Sequence, residues 1–274
     1  MEKNVEEKKK PRPSPFVNIS LSYEGMGKRA AQEIATLLRD KPDAVIGLAT
    51  GNTPKSMYRE LIRMHNDPDI KLDFSKATFF NLDEYVGLPH DHLQSYHHYM
   101  NEQLFDYINV DRGKIHIPDG TAKNIDEECR RYEKAIRDAG GIDLQVLGIG
   151  PNGHIGFSEP GTPFDRETHK TVLTQETREA NAPNFGSIDL VPHEAITMGP
   201  KTIMDAKKII LLANGEGKME PVYKALKGEV TEEVPASILQ LHKDVTFYLD
   251  RKAAKDFDKY FSAHAPEISR SAAR

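Results

Sequence analysis

Leu144-Gln145-Val146-Leu147-Gly148-Ile149-Gly150-Pro151-Asn152-Gly153-His154-Ile155-Gly156-Phe157-Ser158-Glu159-Pro160 is the stretch on which the reading of this chain turns. It opens with a short apolar run, residues 144–149, of the kind that forms a buried strand. It continues into a loop with glycines at 148, 150, 153 and 156, which lets the backbone turn sharply and lets a ligand come close. That loop carries one imidazole, His154, and one carboxylate, Glu159. A strand ending in a glycine loop with titratable groups is where an α/β enzyme places its chemistry.

Outward from this segment, strand patterns alternate with helical ones. Strands are expected at 17–21, 44–49, 76–82, 144–149, 209–213 and 245–249. Helices are expected near 25–39, 54–65, 95–108, 125–139, 216–226 and 252–261. Residues 161–193 read as polar and irregular. The alternation predicts a single-domain α/β fold, Rossmann-like, with an open, mainly parallel sheet and helices on both faces. Residues 16–264 form that domain, with no internal repeat and no linker. Residues 1–15 are charged and proline-punctuated and read as a disordered tail, and 265–274 as a flexible one.

Composition narrows the function. The 274 residues carry a formal net charge of -5, with pI near 6.1, which argues against nucleic acid. No apolar run approaches the roughly 18 residues of a membrane helix, and the N-terminus has no secretory apolar core. The lone Cys129 has no partner for an internal disulfide, which fits the cytoplasm.

Three strand ends carry candidate chemistry, and in a parallel sheet those ends share one edge. The first is Thr50-Gly51-Asn52-Thr53-Pro54, with Thr53 as the expected helix cap and Pro54 as the first helical residue. Its free amides and the helix dipole suit an anion such as phosphate. The second is Asn81-Leu82-Asp83-Glu84-Tyr85, where either carboxylate could act as a base or cap a helix. The third is the loop holding Asn152, His154 and Glu159. Lys218, at the start of a later helix, should reach the same edge. His90, His92, His97 and His98 lack the carboxylate or cysteine partners of a metal set, so no metal is expected there.

Taken in order, these motifs resemble the glucosamine-6-phosphate deaminase family. The match runs through G-L-A-T-G-N-T-P (47–54), F-N-L-D-E-Y-V-G-L (80–88) and G-I-G-P-N-G-H-I-G-F-S-E-P-G (148–161). It continues in T-R-E-A-N (177–181) and S-I-L-Q-L-H (237–242), and covers about residues 44–249. The resemblance implies a sugar-phosphate isomerase/deaminase fold and an enzyme acting on an amino-sugar phosphate without cofactor or metal. It implies that Asp83 relays the C2/C1 proton, that His154 handles ring opening, and that Asn152 and Glu159 hold His154. Thr50, Gly51, Asn52, Thr53 and Lys218 would form the substrate and phosphate site. A lid is implied around residues 161–190.

Four departures shape the expectations. Asn152 gives His154 a neutral partner, where some family members have Asp. Ser158 replaces the usual Asn of F-N-E-P. The lid arginine of A-N-x-R-F-F is absent, since the chain reads Ala180-Asn181-Ala182-Pro183-Asn184-Phe185. Phosphate recognition is therefore expected to be weakened or rerouted, with Arg178 or Lys201 as substitutes. Gly161-Thr162-Pro163-Phe164 resembles the members without amino-sugar-phosphate activation. The competing readings are a related sugar-phosphate lactonase, a galactosamine-type deaminase and a non-catalytic sugar-phosphate sensor. The lactonases typically carry arginine where this chain has Tyr85. The sequence leaves the oligomeric state open, a homo-oligomer included.

Overall fold

The computed structural model describes residues 15–255. The expected C-terminal tail, all but Pro15 of the N-terminal one, and residues 256–261 of the expected last helix lie outside the described residues. The elements run β1 (Phe16–Ser20), α1 (Tyr23–Asp40), β2 (Val45–Leu48), α2 (Lys55–Asn66), β3 (Thr78–Asn81), β4 (Asp83–Tyr85), α3 (Tyr96–Gln103), β5 (Ile115–His116) and α4 (Ile125–Asp138). They continue as β6 (Leu144–Leu147), β7 (His169–Val172), α5 (Gln175–Phe185), β8 (Glu194–Thr197), α6 (Pro200–Met204), β9 (Lys208–Ala213), α7 (Met219–Lys227) and β10 (Val245–Asp250).

Seven strands form one parallel sheet in the order β1-β10-β9-β6-β2-β3-β5. Every residue of β2 and β6 is buried, and successive strand residues face opposite ways, so both faces are covered. The helices form for local reasons as well. The Ser22 hydroxyl caps α1 by accepting the Gly25 amide at 3.1 Å, and Met26, Ala30, Ile34 and Leu38 form its buried stripe. Asn124 caps α4, whose first turn holds Asp126, Glu127 and Glu128, matching the positive end of the helix.

The sheet order places the site. From β2 the chain moves outward through β3 and β5, while β6, β9 and β10 build the other way. The order therefore reverses between β2 and β6, and the crevice at their carboxyl ends is where such sheets take ligands. The loops after β2 and β6 are the first and third candidate segments.

Several local expectations are corrected. Helix α2 begins at Lys55, with Pro54 as its cap residue and no side-chain cap, so Thr53 is not the N-cap. Helix α3 ends at Gln103, with a short 3-10 turn at Phe105–Tyr107. Residues 216–218 are 3-10, ahead of α7. Residues 252–255 form turns rather than helix. The stretch 161–193 is not irregular: it holds β7 and α5, and β4-β8-β7 make a second, antiparallel sheet.

Candidate active site

A cleft of about 510 Å³ opens at the switch point. Thr50, Gly51, Asn52, Thr53, Asp83, Gly150, His154, Gly156 and Lys218 all line it. The structure thus gathers the three candidate strand ends and the later lysine around one space.

Strand β4 separates the two adjacent carboxylates, since neighbouring strand residues point to opposite sides. Glu84 is fully buried and accepts the amides of Tyr96 and His97 at 3.0 and 3.1 Å, so it serves the N-terminus of α3. The His97 imidazole joins it at 3.0 Å and stacks on His90. Asp83 lines the cleft instead. It is 5% exposed, and its Oδ1 has no hydrogen-bond partner among the described residues. Burial, reinforced by the Glu84 charge and opposed by the Thr50 hydroxyl, pushes its carboxyl up to about 8.

The imidazole is held by a chain of side chains. Asn152 Nδ2 donates to Glu159 Oε2 at 2.9 Å, and Asn152 Oδ1 faces His154 Nδ1 at 2.7 Å. Burial opposes ionisation of Glu159, but His154, Thr177 and Asn152 outweigh it and hold its carboxyl at about 2. An ionised carboxylate only accepts, so Asn152 must turn its amino group to Glu159 and its oxygen to His154. The proton of a neutral His154 then sits on Nδ1, which leaves Nε2 as the free acceptor. The neutral partner expected of Asn152 is half the account, because Glu159 Oε2 lies 3.5 Å from His154 Nδ1. Asn152 and Glu159 do not line the cleft; their contact with it runs through His154.

Glycines make room for this arrangement at two points. A Cβ on Gly150 would fall 2.1 Å from the His154 ring. Gly156 has φ +58, and a Cβ there would meet Thr197 Oγ1 at 2.7 Å and approach Asp83. The residue just before the S-I-L-Q-L-H segment backs the loop: the Ala236 amide donates to Gly153 O at 2.9 Å.

Residues 169–190 lie against the cleft through α5. Thr174 caps α5 and donates to Glu159 at 3.2 Å, and the Thr177 hydroxyl also donates to Glu159. Phe185 packs edge-on against Tyr85, in a buried cluster with Phe157 and Leu173. Tyr85 both packs in this cluster and lines the cleft. Arg178 does not reach the cleft; its guanidinium donates to Ile188 O at 2.8 Å. Lys201 pairs with Glu167 and Asp205 away from it. Neither expected substitute for the missing arginine stands in the cleft. Lys218 does, half-buried and donating to Ile149 O at 2.6 Å, and burial lowers its ammonium below the usual lysine range. So does Lys55, which sequence reasoning passed over.

The fold and the site together define an α/β enzyme of the sugar-phosphate isomerase and deaminase type. The chain belongs to the glucosamine-6-phosphate isomerase/6-phosphogluconolactonase family, whose sequence profile matches residues 21–248. It is 53% identical over 237 residues to the glucosamine-6-phosphate deaminase of Clostridium perfringens (strain 13 / Type A), covering 86% of this chain and 97% of that one. A solved monomeric glucosamine-6-phosphate deaminase superposes with TM-score 0.85 at 48% identity, covering 87% of this chain and 98% of that one. The 6-phosphogluconolactonase of Trypanosoma brucei, at 21% identity and TM-score 0.70 over 89% of this chain and 98% of its own, shares the fold.

Proposed function

We propose that this chain converts glucosamine 6-phosphate and water to fructose 6-phosphate and ammonia. The observation that carries the reading is the pairing, in one cleft, of a buried carboxylate with a free oxygen and an imidazole with its Nδ1 already engaged. His154 Nε2 takes the proton of the C1 hydroxyl as the ring opens and delivers it to the departing ring oxygen. Asp83 then removes the C2 proton of the open-chain aldehyde as a proton passes from the amino group to the C1 oxygen, and returns its proton to C1. Water hydrolyses the resulting ketimine and ammonia leaves. The loop of Thr50, Gly51, Asn52 and Thr53 and the Lys218 ammonium receive the phosphate. Residues 161–190 act as the lid, tied to the chemistry through Thr177 and Glu159. No cofactor or metal takes part in this scheme.

The test is ammonia release measured over phosphorylated and unphosphorylated gluco- and galactosamines. Release from glucosamine 6-phosphate alone supports the proposal, and release from the galacto epimer in preference would reassign the substrate. Hydrolysis of a sugar-phosphate lactone with no ammonia from any hexosamine would point to the lactonase, and tight binding without turnover to a sensor. Tyr85 lines the cleft at the position where the lactonases typically carry arginine, which argues against the lactonase. No helix among the described residues is long and apolar enough to cross a membrane, and we place the enzyme in the cytoplasm. Its oligomeric state is a matter for sedimentation, with a relative described as monomeric.

The Asp83 environment sets a pH dependence. A base works ionised, and burial holds this one mostly protonated below about pH 8. The free-enzyme profile, kcat/KM against pH, is therefore expected to rise with a midpoint near pH 8 and to level off above it. A profile flat from pH 6 to pH 9 would show that Asp83 is not held protonated over that range.

A further inference from the structure

We propose that Lys55 is the cation that binds the substrate phosphate in place of the missing lid arginine. This rests on the sugar-phosphate reading of the cleft. Lys55 is the first residue of α2 and lines the cleft beside the loop of Gly51, Asn52 and Thr53. Its Nζ lies 5.7 Å from the centroid of the Tyr99 ring. The Tyr99 hydroxyl in turn donates to Gly51 O at 2.5 Å, so one aromatic side chain sits between the ammonium and the anion loop.

Two observations point to an anionic ligand. A helix N-terminus favours acids and disfavours cations, yet the first turn of α2 has a lysine and no acid. That choice works against the helix alone and with an anion bound there. The amides of Gly51, Asn52 and Thr53 have no acceptor among the described residues. The same cleft is lined by Asp83, whose Oδ1 is buried and unpartnered, so the ligand it takes is polar as well. At the lid position of the arginine stands Pro183, with Asn181 and Asn184 facing the cleft as neutral groups. The positive charge has thus moved from the lid to the rigid end of α2. Phosphate binding in this enzyme is then set by α2 and Lys218 rather than by lid closure.

The test compares wild type, Lys55→Met and Lys55→Arg for binding of inorganic phosphate by calorimetry and for KM and kcat on glucosamine 6-phosphate. Lys55→Met is expected to weaken phosphate binding and raise KM by roughly ten- to hundredfold, with a smaller change in kcat. Lys55→Arg should restore most of the affinity. The salt dependence of phosphate binding should become shallower in Lys55→Met. A purely structural role, such as neutralising Glu102 in the same lining, would move thermal stability and leave phosphate affinity within twofold, and that result would overturn the proposal. Phosphate binding that depends on Lys55 in an enzyme that releases no ammonia would keep this assignment while rejecting the proposed reaction.

Discussion

Asp83→Asn is expected to fold, to lose turnover by roughly a hundred- to ten-thousand-fold, and to gain stability relative to wild type as the pH rises. The loss follows from the role: a carboxamide cannot carry a proton from C2 to C1. The gain follows from burial. Asp83 has a folded pKa of about 8 against an ordinary value of 3.8, so between those pH values the folded chain holds a proton that the unfolded chain has released. Unfolding then becomes easier as pH rises through that window, and the contribution is fully lost above pH 8. One pKa unit corresponds to about 1.4 kcal/mol, so the penalty removed by the carboxamide is of the order of a few kcal/mol at pH 8. Urea unfolding of both proteins at pH 5 and pH 8.5 reads the difference. A gap in stability that does not widen with pH would show that Asp83 is ionised across the range. An inactive variant with that flat gap would leave the base assignment standing and overturn its electrostatics.

The candidate site was legible because its parts are local. Each motif is a strand end plus a glycine or acidic turn, and a parallel sheet brings such ends to one edge without long-range detail. Asp83, His154 and Lys218 line the cleft at that edge, and Asn152 and Glu159 stand behind His154. The sequence could not divide Asp83 from Glu84, because the division depends on where α3 starts in space. The second sheet was hidden for a related reason. Strand β7, His-Lys-Thr-Val, shows no apolar alternation, and three-residue β4 owes its pairing to β8, far away in the chain. Helix α5 was masked by Pro183, which disfavours helix interiors. Here the proline comes near the end, two residues before Phe185, and Gly186 closes the helix at φ +85. The cap Thr174 and its partner Thr177 were the readable signal. Lys55 was missed because a lysine opening an amphipathic helix reads as solvated. The sign that marked it, a first turn without any acid, becomes informative once the cleft is seen.

His154→Gln is the second large effect. Loss of the imidazole should lower turnover on the closed sugar by roughly a hundred- to ten-thousand-fold, the span typical of a lost acid–base group. An open-chain substrate analogue should suffer much less, because His154 serves ring opening and Asp83 serves the later proton transfer. Equal losses on both would make His154 a packing residue. The supporting chain sharpens the test. Glu159 is held at about 2, below its ordinary value of 4.5, so the stability it brings is present above about pH 4.5 and fades only as the pH falls toward 2. Across the working range it stays an acceptor and fixes Asn152, which fixes the Nδ1 proton of His154. Glu159→Gln removes that constraint: a neutral amide can donate to Asn152 as well as accept from it, and Asn152 is free to turn its amino group toward His154. Nδ1 would then accept, and the proton would move to Nε2, where it blocks the base. Glu159→Gln should therefore reproduce the ring-opening defect of His154→Gln in a weaker form, with the open-chain analogue again spared. Selective loss in both variants would assign the chain from Glu159 to His154 to ring opening, and a Glu159→Gln variant equally impaired on both substrates would place Glu159 in lid support through Thr177 instead.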